Sequence, residues 1–203
     1  ADSFTIGSTW TGSLITGFDS STSNNFIDIQ GRGGNDTITG NGFVRVNYGE
    51  AQDGVSVNLA SGTAFDTDGT DNAGIGNDTI SGANGVFGSK FDDTITGSSG
   101  ADFLLGGAGN DVIDGGSNPT LSVSQQGDRV DYFNSDSGVI VDLSTAANAT
   151  VGSGTAQDGF GGTDTLINIE DIRGSREFGD ILTGDAGINR IRGEGGDDII
   201  RAG

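Results

Sequence analysis

The residues of this sequence best suited to chemistry are aspartates that recur at fixed spacing inside glycine-rich phrases. Asp93, Asp102 and Asp111 follow one another at nine-residue intervals, and Asp180 and Asp198 lie eighteen apart with Asn189 midway. The fullest phrase is Gly106-Gly107-Ala108-Gly109-Asn110-Asp111-Val112-Ile113-Asp114, six residues of turn composition followed by three of strand composition. Glycine permits the positive φ values that let successive carbonyls aim at one point, and it leaves room for the backbone to approach an ion. The aspartate at the sixth position adds charge to those carbonyls. A shell of six to eight oxygens at about 2.3–2.6 Å is what Ca²⁺ takes. The chain contains no cysteine and no histidine, which removes thiolate and imidazole ligands and favours hard cations over transition metals.

Such phrases need a scaffold that repeats with them. Six turn residues and three strand residues, repeated, build a solenoid of short strands. Two nonapeptides make one coil, so residues eighteen apart stack on the same side, about 4.8 Å apart across a parallel ladder. Asp93 then faces Asp111, and Asp180 faces Asp198, each pair sharing an ion that staples two coils. Without the ion, like charges a few ångströms apart cost on the order of 1 kcal/mol even in bulk water, and more in a partly dry site. Two positions beyond the acids, Ile95, Leu104, Ile113, Leu182, Ile191 and Ile200 are predicted to point inward as aliphatic ladders. Each such burial contributes on the order of 1.5–3 kcal/mol, which makes a thin core.

Further candidate ligands are Asp36, Asp78, Asp102, Asp128 and Asp164, with Gly106, Ala108, Gly109, Gly193 and Gly195 supplying carbonyls. A strict eighteen-residue register weakens several of them. Asp36 has Gly54 at the next-coil position, Asp102 is flanked by Asn84 and Thr120, and Asp128 lies seventeen residues beyond Asp111. The cluster Asp66-Thr67-Asp68-Gly69-Thr70-Asp71 resembles the first half of an EF-hand loop but has Asn77 where the bidentate glutamate belongs. Lys90 and Arg176 occupy equivalent turn positions and are expected to face solvent.

Composition agrees with a solenoid and not with a conventional globular core, for only 32% of the 203 residues are apolar and 39 are glycine. A balance of 29 acidic against 9 basic residues, net charge -20, repels nucleic-acid phosphates and anionic membrane surfaces and makes cations the natural partners. Without divalent ions the same composition favours disorder, so order is expected to be conditional. No stretch approaches the roughly 18 apolar residues of a membrane span. A longer period is also visible. Arg45-Val46-Asn47-Tyr48 returns as Arg129-Val130-Asp131-Tyr132, Gly88-Ser89 as Gly174-Ser175, and Asp102 to Ile113 as Asn189 to Ile200. The predicted organisation is a capping segment over 1–25 containing Trp10, a first repeat block over 26–116 and a second over 117–203, forming one continuous solenoid. Segments Val55 to Leu59 and Val139 to Leu143 read as longer half-buried strands, each followed by a loop, Ser61 to Ile75 and Ser144 to Gly162.

Full phrases run from Gly31 to Ile38, Gly106 to Ile113 and Gly193 to Ile200, and partial ones end at Asp78, Asp93, Asp102, Asp164 and Asp180. In these residues the chain resembles the RTX (repeats-in-toxin, haemolysin-type) family of calcium-binding proteins. The resemblance implies an all-β, right-handed parallel β-roll with several Ca²⁺ ions in its glycine turns. It also implies export, usually by a type I secretion system of a Gram-negative bacterium, with folding outside the cell. The end of the chain just after a repeat suggests a part of something larger. The leading functional expectation is a calcium-dependent structural module of a secreted or surface protein, such as an adhesin or surface-layer component, with self-assembly or extracellular polysaccharide as further partners. Alternatives are an accessory domain of a secreted polysaccharide-modifying enzyme and an ice-binding domain suggested by Thr37-Ile38-Thr39 and Thr94-Ile95-Thr96. No catalysis is expected of the chain itself. Histidine-dependent protease motifs are absent, and the adjacent acids Asp92-Asp93, Glu170-Asp171 and Asp197-Asp198 point to opposite faces of a strand.

Overall fold

The computed structural model describes residues 3–5, 27–117, 127–144 and 153–203, which form nineteen strands and no helix. The chain shuttles between two sheets. The smaller holds β2 (Ile27–Ile29), β4 (Val44–Asn47), β8 (Gly85–Phe87), β10 (Phe103–Leu105), β12 (Arg129–Asp131), β16 (Asp171–Arg173) and β18 (Arg190–Arg192), in chain order and with every pair parallel. The larger holds β1 (Ser3–Thr5), β3 (Thr37–Thr39), β5 (Val55–Asn58), β6 (Thr63–Asp66), β7 (Asp78–Ser81) and β9 (Thr94–Thr96), then β11 (Val112–Asp114), β13 (Ile140–Asp142), β14 (Gly154–Gln157), β15 (Thr163–Ile167), β17 (Ile181–Thr183) and β19 (Ile199–Arg201). Most strands are three residues long because a glycine-rich turn bounds each one.

Between the sheets lies the aliphatic ladder that the nonapeptide spacing predicts. On the smaller sheet Ile29, Val46, Val86, Leu104, Val130, Ile172 and Ile191 stack in register. Facing them, Val57, Ile95, Ile113 and Leu166 form one run of the larger sheet, and Val141, Leu182 and Ile200 another. Ile95, Leu104, Ile113 and Leu182 are fully buried, as expected. Ile191 is only partly buried and Ile200 is 50% exposed, because β18 and β19 are terminal strands of their sheets with no further coil stacked on them.

The larger sheet departs from a purely parallel roll at two places. Its order runs β3-β7-β6-β5-β9 and then β11-β15-β14-β13-β17. In each repeat the chain enters beside the coil ahead, folds back through two antiparallel pairings, and returns beside the coil behind. Strands lie within both expected segments, opening at Val55 and at Ile140, but the segments read as loops contain β6 and β14. Their sequences, Thr-Ala-Phe-Asp and Gly-Thr-Ala-Gln, carry little of the apolar alternation that marks a strand.

Five of the nine basic residues lie on the smaller sheet, and several of them pair with acids there. Arg45 pairs with Asp28 at 2.7 Å, and Arg173 bridges Asp131 at 3.4 Å and Glu194 at 2.8 Å. Arg129 pairs with Asp131 at 2.9 Å and lies 4.4 Å from the centre of the Phe103 ring. The predicted cap, with Trp10, lies outside the described residues except for β1, as does the loop around Asn148.

Leu104 and Ile200 occupy equivalent inward positions at opposite extremes of burial. Leu104→Ala should cost about 2–5 kcal/mol in saturating calcium, by transfer and cavity terms together. Ile200→Ala should cost less than about 1 kcal/mol. Chemical denaturation of the two variants checks the difference.

Candidate metal centre

The sixth-position aspartate is held in the same way in turn after turn. Its Oδ2 lies over the first glycine of its own turn, so closely that a Cβ placed on Gly31, Gly88, Gly97, Gly106, Gly115, Gly174 or Gly193 would come within 3.0 Å of it. No side chain fits there, which is why the phrase begins with glycine. Its Oδ1 accepts the backbone N–H of the preceding coil. The N–H of Asp93 donates to Asp111 at 2.8 Å, that of Asp111 to Asp164 at 3.1 Å, and that of Asp180 to Asp198 at 3.0 Å. One position earlier the ladder runs in the opposite sense, with the N–H of Asn110 donating to Asp92 Oδ1 at 2.7 Å and that of Thr163 to Asn110 Oδ1 at 3.1 Å.

The two antiparallel excursions, and a longer connection between β11 and β12, rewrite the predicted neighbours. Asp36 does not face Gly54; its N–H donates to Asp78 Oδ1, 42 residues on, at 2.9 Å, because β7 and not β5 lies beside β3. Asp128 is not a neighbour of Asp111. It belongs to the turns that lead into the smaller sheet, where the N–H of Asp102 donates to Asp128 Oδ1 at 2.8 Å across 26 residues. That row continues to Glu170, whose Oε2 accepts the N–H of Asp128 at 2.9 Å. Asp111 instead meets Asp164, 53 residues away. The pairs Asp93/Asp111 and Asp180/Asp198 stack as the spacing predicts.

Sequence reasoning missed Glu170 because no glycine phrase precedes it. Its signal is an acid two residues before an inward aliphatic, Ile172, the same offset as Asp111 and Ile113. Two tyrosines were missed as well. Tyr48 donates to Asp78 Oδ2 at 3.0 Å and Tyr132 to Asp164 Oδ2 at 2.8 Å, so the repeated Arg-Val-x-Tyr phrase delivers a phenol to each of these acids. Burial, with the neighbouring carboxylates, holds both phenols above their ordinary pKa. Asp158 is a third omission. It is fully buried, and its Oδ1 accepts the N–H groups of Phe160, Gly161 and Gly162 at 2.8–2.9 Å. Lys90 and Arg176 are exposed, as expected. In the loop after β6, Asp66 accepts the N–H of Ala73 at 2.7 Å and that of Asp68 at 2.9 Å.

The buried carboxylates are electrostatically unsatisfied. Asp111 is 1% exposed, and its Oδ2 has no hydrogen-bond partner; Oδ2 of the buried Asp158 has none either. Burial, then the charges of Asp164, Asp93 and Asp158, push the Asp111 carboxyl up to about 8. Burial raises Asp164 to about 7 and Asp93 to about 6. Asp78, Asp102 and Asp180 are raised by the same cause.

A divalent cation suits this arrangement. It would supply the missing partner of Asp111 Oδ2 and neutralise charges that burial otherwise penalises. No group of three or more acidic side chains among the described residues is arranged to hold an ion alone. Backbone carbonyls must therefore complete the shell. The glycine turns can provide them, since φ is positive at Gly107 and Gly109, as it is at Arg32 and Gly34 and at Glu194 and Gly196. The model of the RTX calcium-binding nonapeptide repeat matches the chain in four copies, at residues 28–42, 72–86, 87–118 and 176–203. The chain carries RTX calcium-binding repeats. The stretches between the RTX matches contain β5 and β6 in the first copy and β13 to β15 in the second, the excursions that break the nonapeptide register. No curated protein matches the chain.

These raised carboxyls set a pH dependence. A carboxyl whose pKa is higher in the folded than in the unfolded chain leaves the metal-free fold most stable below about pH 4, and that stability is lost as pH rises through 6 to 8. Calcium must displace those protons, so its affinity runs the other way. Metal-free protein should melt at a higher temperature at pH 5 than at pH 8. The calcium concentration at half-folding should fall by about tenfold per pH unit between pH 6 and 7.5. Circular-dichroism melts and calcium titrations at several pH values check both.

Proposed function

We propose that this chain is a calcium-folded structural module of a secreted or cell-surface protein, without an active site of its own. The observation that carries this reading is Asp111: a buried carboxylate with one oxygen lacking any partner, in a glycine turn with two positive-φ residues. Filling that place with Ca²⁺ converts the least favourable feature of the fold into a cross-link. Closure of such glycine turns and ion binding are then one event.

Location outside the cell is supported by the same chemistry and by the RTX repeats. RTX repeats typify proteins exported by type I systems. A chain of net charge -20 whose acids stack in rows stays open where calcium is scarce and closes where it is abundant. We read the display surface as the outside of the larger sheet, in the manner of an adhesin or surface-layer component. The lack of an active site is supported by the adjacent acids. Asp93 is buried in its turn while Asp92 is exposed, so that pair does not converge on one cleft.

Ice binding is favoured by the outward threonines of β3 and β9, which flank Ile38 and Ile95. The equivalent residues on β11 and β19 are Val112 and Asp114, and Ile199 and Arg201, which interrupt any regular threonine lattice. A null thermal-hysteresis measurement removes this second reading.

Far-ultraviolet circular dichroism of chelated protein titrated with Ca²⁺ should show a cooperative gain of β structure. Mg²⁺ should produce little of it, since it demands tight octahedral geometry and keeps its waters. Sodium chloride should not reproduce it, because screening relieves repulsion without supplying ligands. A full β spectrum in chelator, or one restored by salt alone, would overturn the proposal.

A further inference from the structure

The turn aspartates differ in how far the protein satisfies them without an ion, and two features separate the turns of Asp93 and Asp180 from the glycine turns; the turn of Asp102 is mixed, with Ser98 on its Oδ2 but no partner for its Oδ1. The first is side-chain partnering. Asp93 Oδ2 accepts the N–H of Ser89 at 2.5 Å, and its Oδ1 accepts the Ser89 hydroxyl at 2.8 Å together with the N–H of Val55 at 2.7 Å. Asp180 repeats the arrangement in the second copy. Its Oδ2 takes the N–H of Ser175 at 2.7 Å, and its Oδ1 takes the Ser175 hydroxyl at 2.7 Å and the N–H of Val139 at 2.9 Å. Both oxygens of each carboxylate are thereby occupied. Asp111, in the turn stacked on that of Asp93, has glycine at the serine position, and its Oδ2 has no partner.

The second feature is the backbone. In the turns 31–36, 106–111 and 193–198 the second and fourth residues all have positive φ, between 63° and 127°. Arg32 and Glu194 adopt it without being glycine, a conformation that persists only where the surroundings enforce it. The turns 88–93 and 174–180 contain no positive-φ residue. Left-handed residues at alternate positions reverse successive peptide units and so can gather carbonyls around a point. The serine turns lack that reversal and close on their own hydroxyls.

We propose that Ser89 and Ser175 stand in for calcium, so that their turns close without an ion and the calcium dependence of the chain is concentrated in the glycine turns 31–36, 106–111 and 193–198. The proposal rests on the calcium reading of those glycine turns. It also assigns an order. Each serine turn lies one coil before a glycine turn and contacts it: the N–H of Asp93 donates to Asp111, and that of Asp180 to Asp198. The serine turn is the preformed edge on which the next turn closes when calcium arrives. Asp93 and Asp180 are poor ligands, because binding would require them to release the serine. The ion in each gap relies on Asp111 or Asp198 with glycine-turn carbonyls.

Hydrogen–deuterium exchange of the full chain, read by mass spectrometry with and without Ca²⁺, tests this. On chelation, peptides covering 106–111 and 193–198 should exchange at least about tenfold faster, while those covering 88–93 and 174–180 retain most of their protection. Equal loss in both classes overturns the division. If calcium protects no turn, the calcium reading fails and the division fails with it. The double variant Ser89→Ala/Ser175→Ala supplies a second readout. It should lose the residual protection of its turns in chelator and lower the melting temperature more at limiting than at saturating calcium. An equal fall under both conditions would make the serines ordinary packing residues and sink the proposal.

Discussion

The structure depends on one hydrogen bond, the backbone N–H of a turn aspartate donating to the carboxylate of the aspartate one coil on. This bond fixes the stacking of turns and therefore the register of the strands that follow them. It also brings acids into rows at the spacing of a parallel ladder, where water reaches few of them. A hydrogen bond to a charged acceptor contributes more than one between neutral groups. The same geometry raises the cost of the charge, as the upward shifts of Asp93, Asp111 and Asp164 record. The fold thus contains an interaction that organises it and a repulsion that follows from that interaction. A cation in the gap preserves the first while removing the second without protonating the carboxylates.

The rest of the molecule contributes little surplus stability against that repulsion. The core is essentially one inward aliphatic per strand, and the chain's few cations are spent mostly on the smaller sheet. Arg45, Arg129 and Arg173 are paired or stacked with acids and aromatic rings there. The three basic residues that do sit in acidic turns, Arg32, Lys90 and Arg176, are exposed. Exposed to water, they neutralise a buried carboxylate far less than an ion coordinated directly to it. The charge distribution is therefore consistent with a fold whose stability is set from outside by the concentration of a divalent ion.

Much of this was legible in the sequence, and the failures have a common cause. The nine-residue phrase, the inward position two residues beyond the acid, and the eighteen-residue pairs Asp93/Asp111 and Asp180/Asp198 follow from local periodicity, and the fold keeps them. What periodicity could not reach was the pairing of coils separated by an excursion. Asp36 with Asp78, Asp102 with Asp128 and Asp111 with Asp164 are separated by 42, 26 and 53 residues. Nothing local marks these as neighbours, because β6 and β14 are short, polar and read as loop, and because the connection between β11 and β12 lengthens the spacing from Asp102 to Asp128. Glu170, Asp158 and the two tyrosines escaped for a related reason. Each reaches its acid from outside the nonapeptide phrase, so only tertiary pairing reveals it.

The excursions also limit the electrostatic problem. At β5 and β13 the position that would carry an acid is taken by a strand whose N–H alone meets the row: Val55 donates to Asp93 and Val139 to Asp180. The row of turn acids on the larger sheet is thereby cut into Asp36 and Asp78, then Asp93, Asp111 and Asp164, then Asp180 and Asp198. An uninterrupted row would place an acid on both sides of nearly every carboxylate, and its repulsion would grow with every coil added. Cutting the row leaves short groups, each within reach of a small number of ions, and it leaves Asp93 and Asp180 with an acid on one side only. Those are the positions at which a serine hydroxyl closes the turn. Where the row is longest, at Asp111 with an acid on either side, no hydroxyl is provided and the carboxylate oxygen has no protein partner. At Asp111 the highest local charge density of the row thus coincides with a carboxylate oxygen that no donor meets.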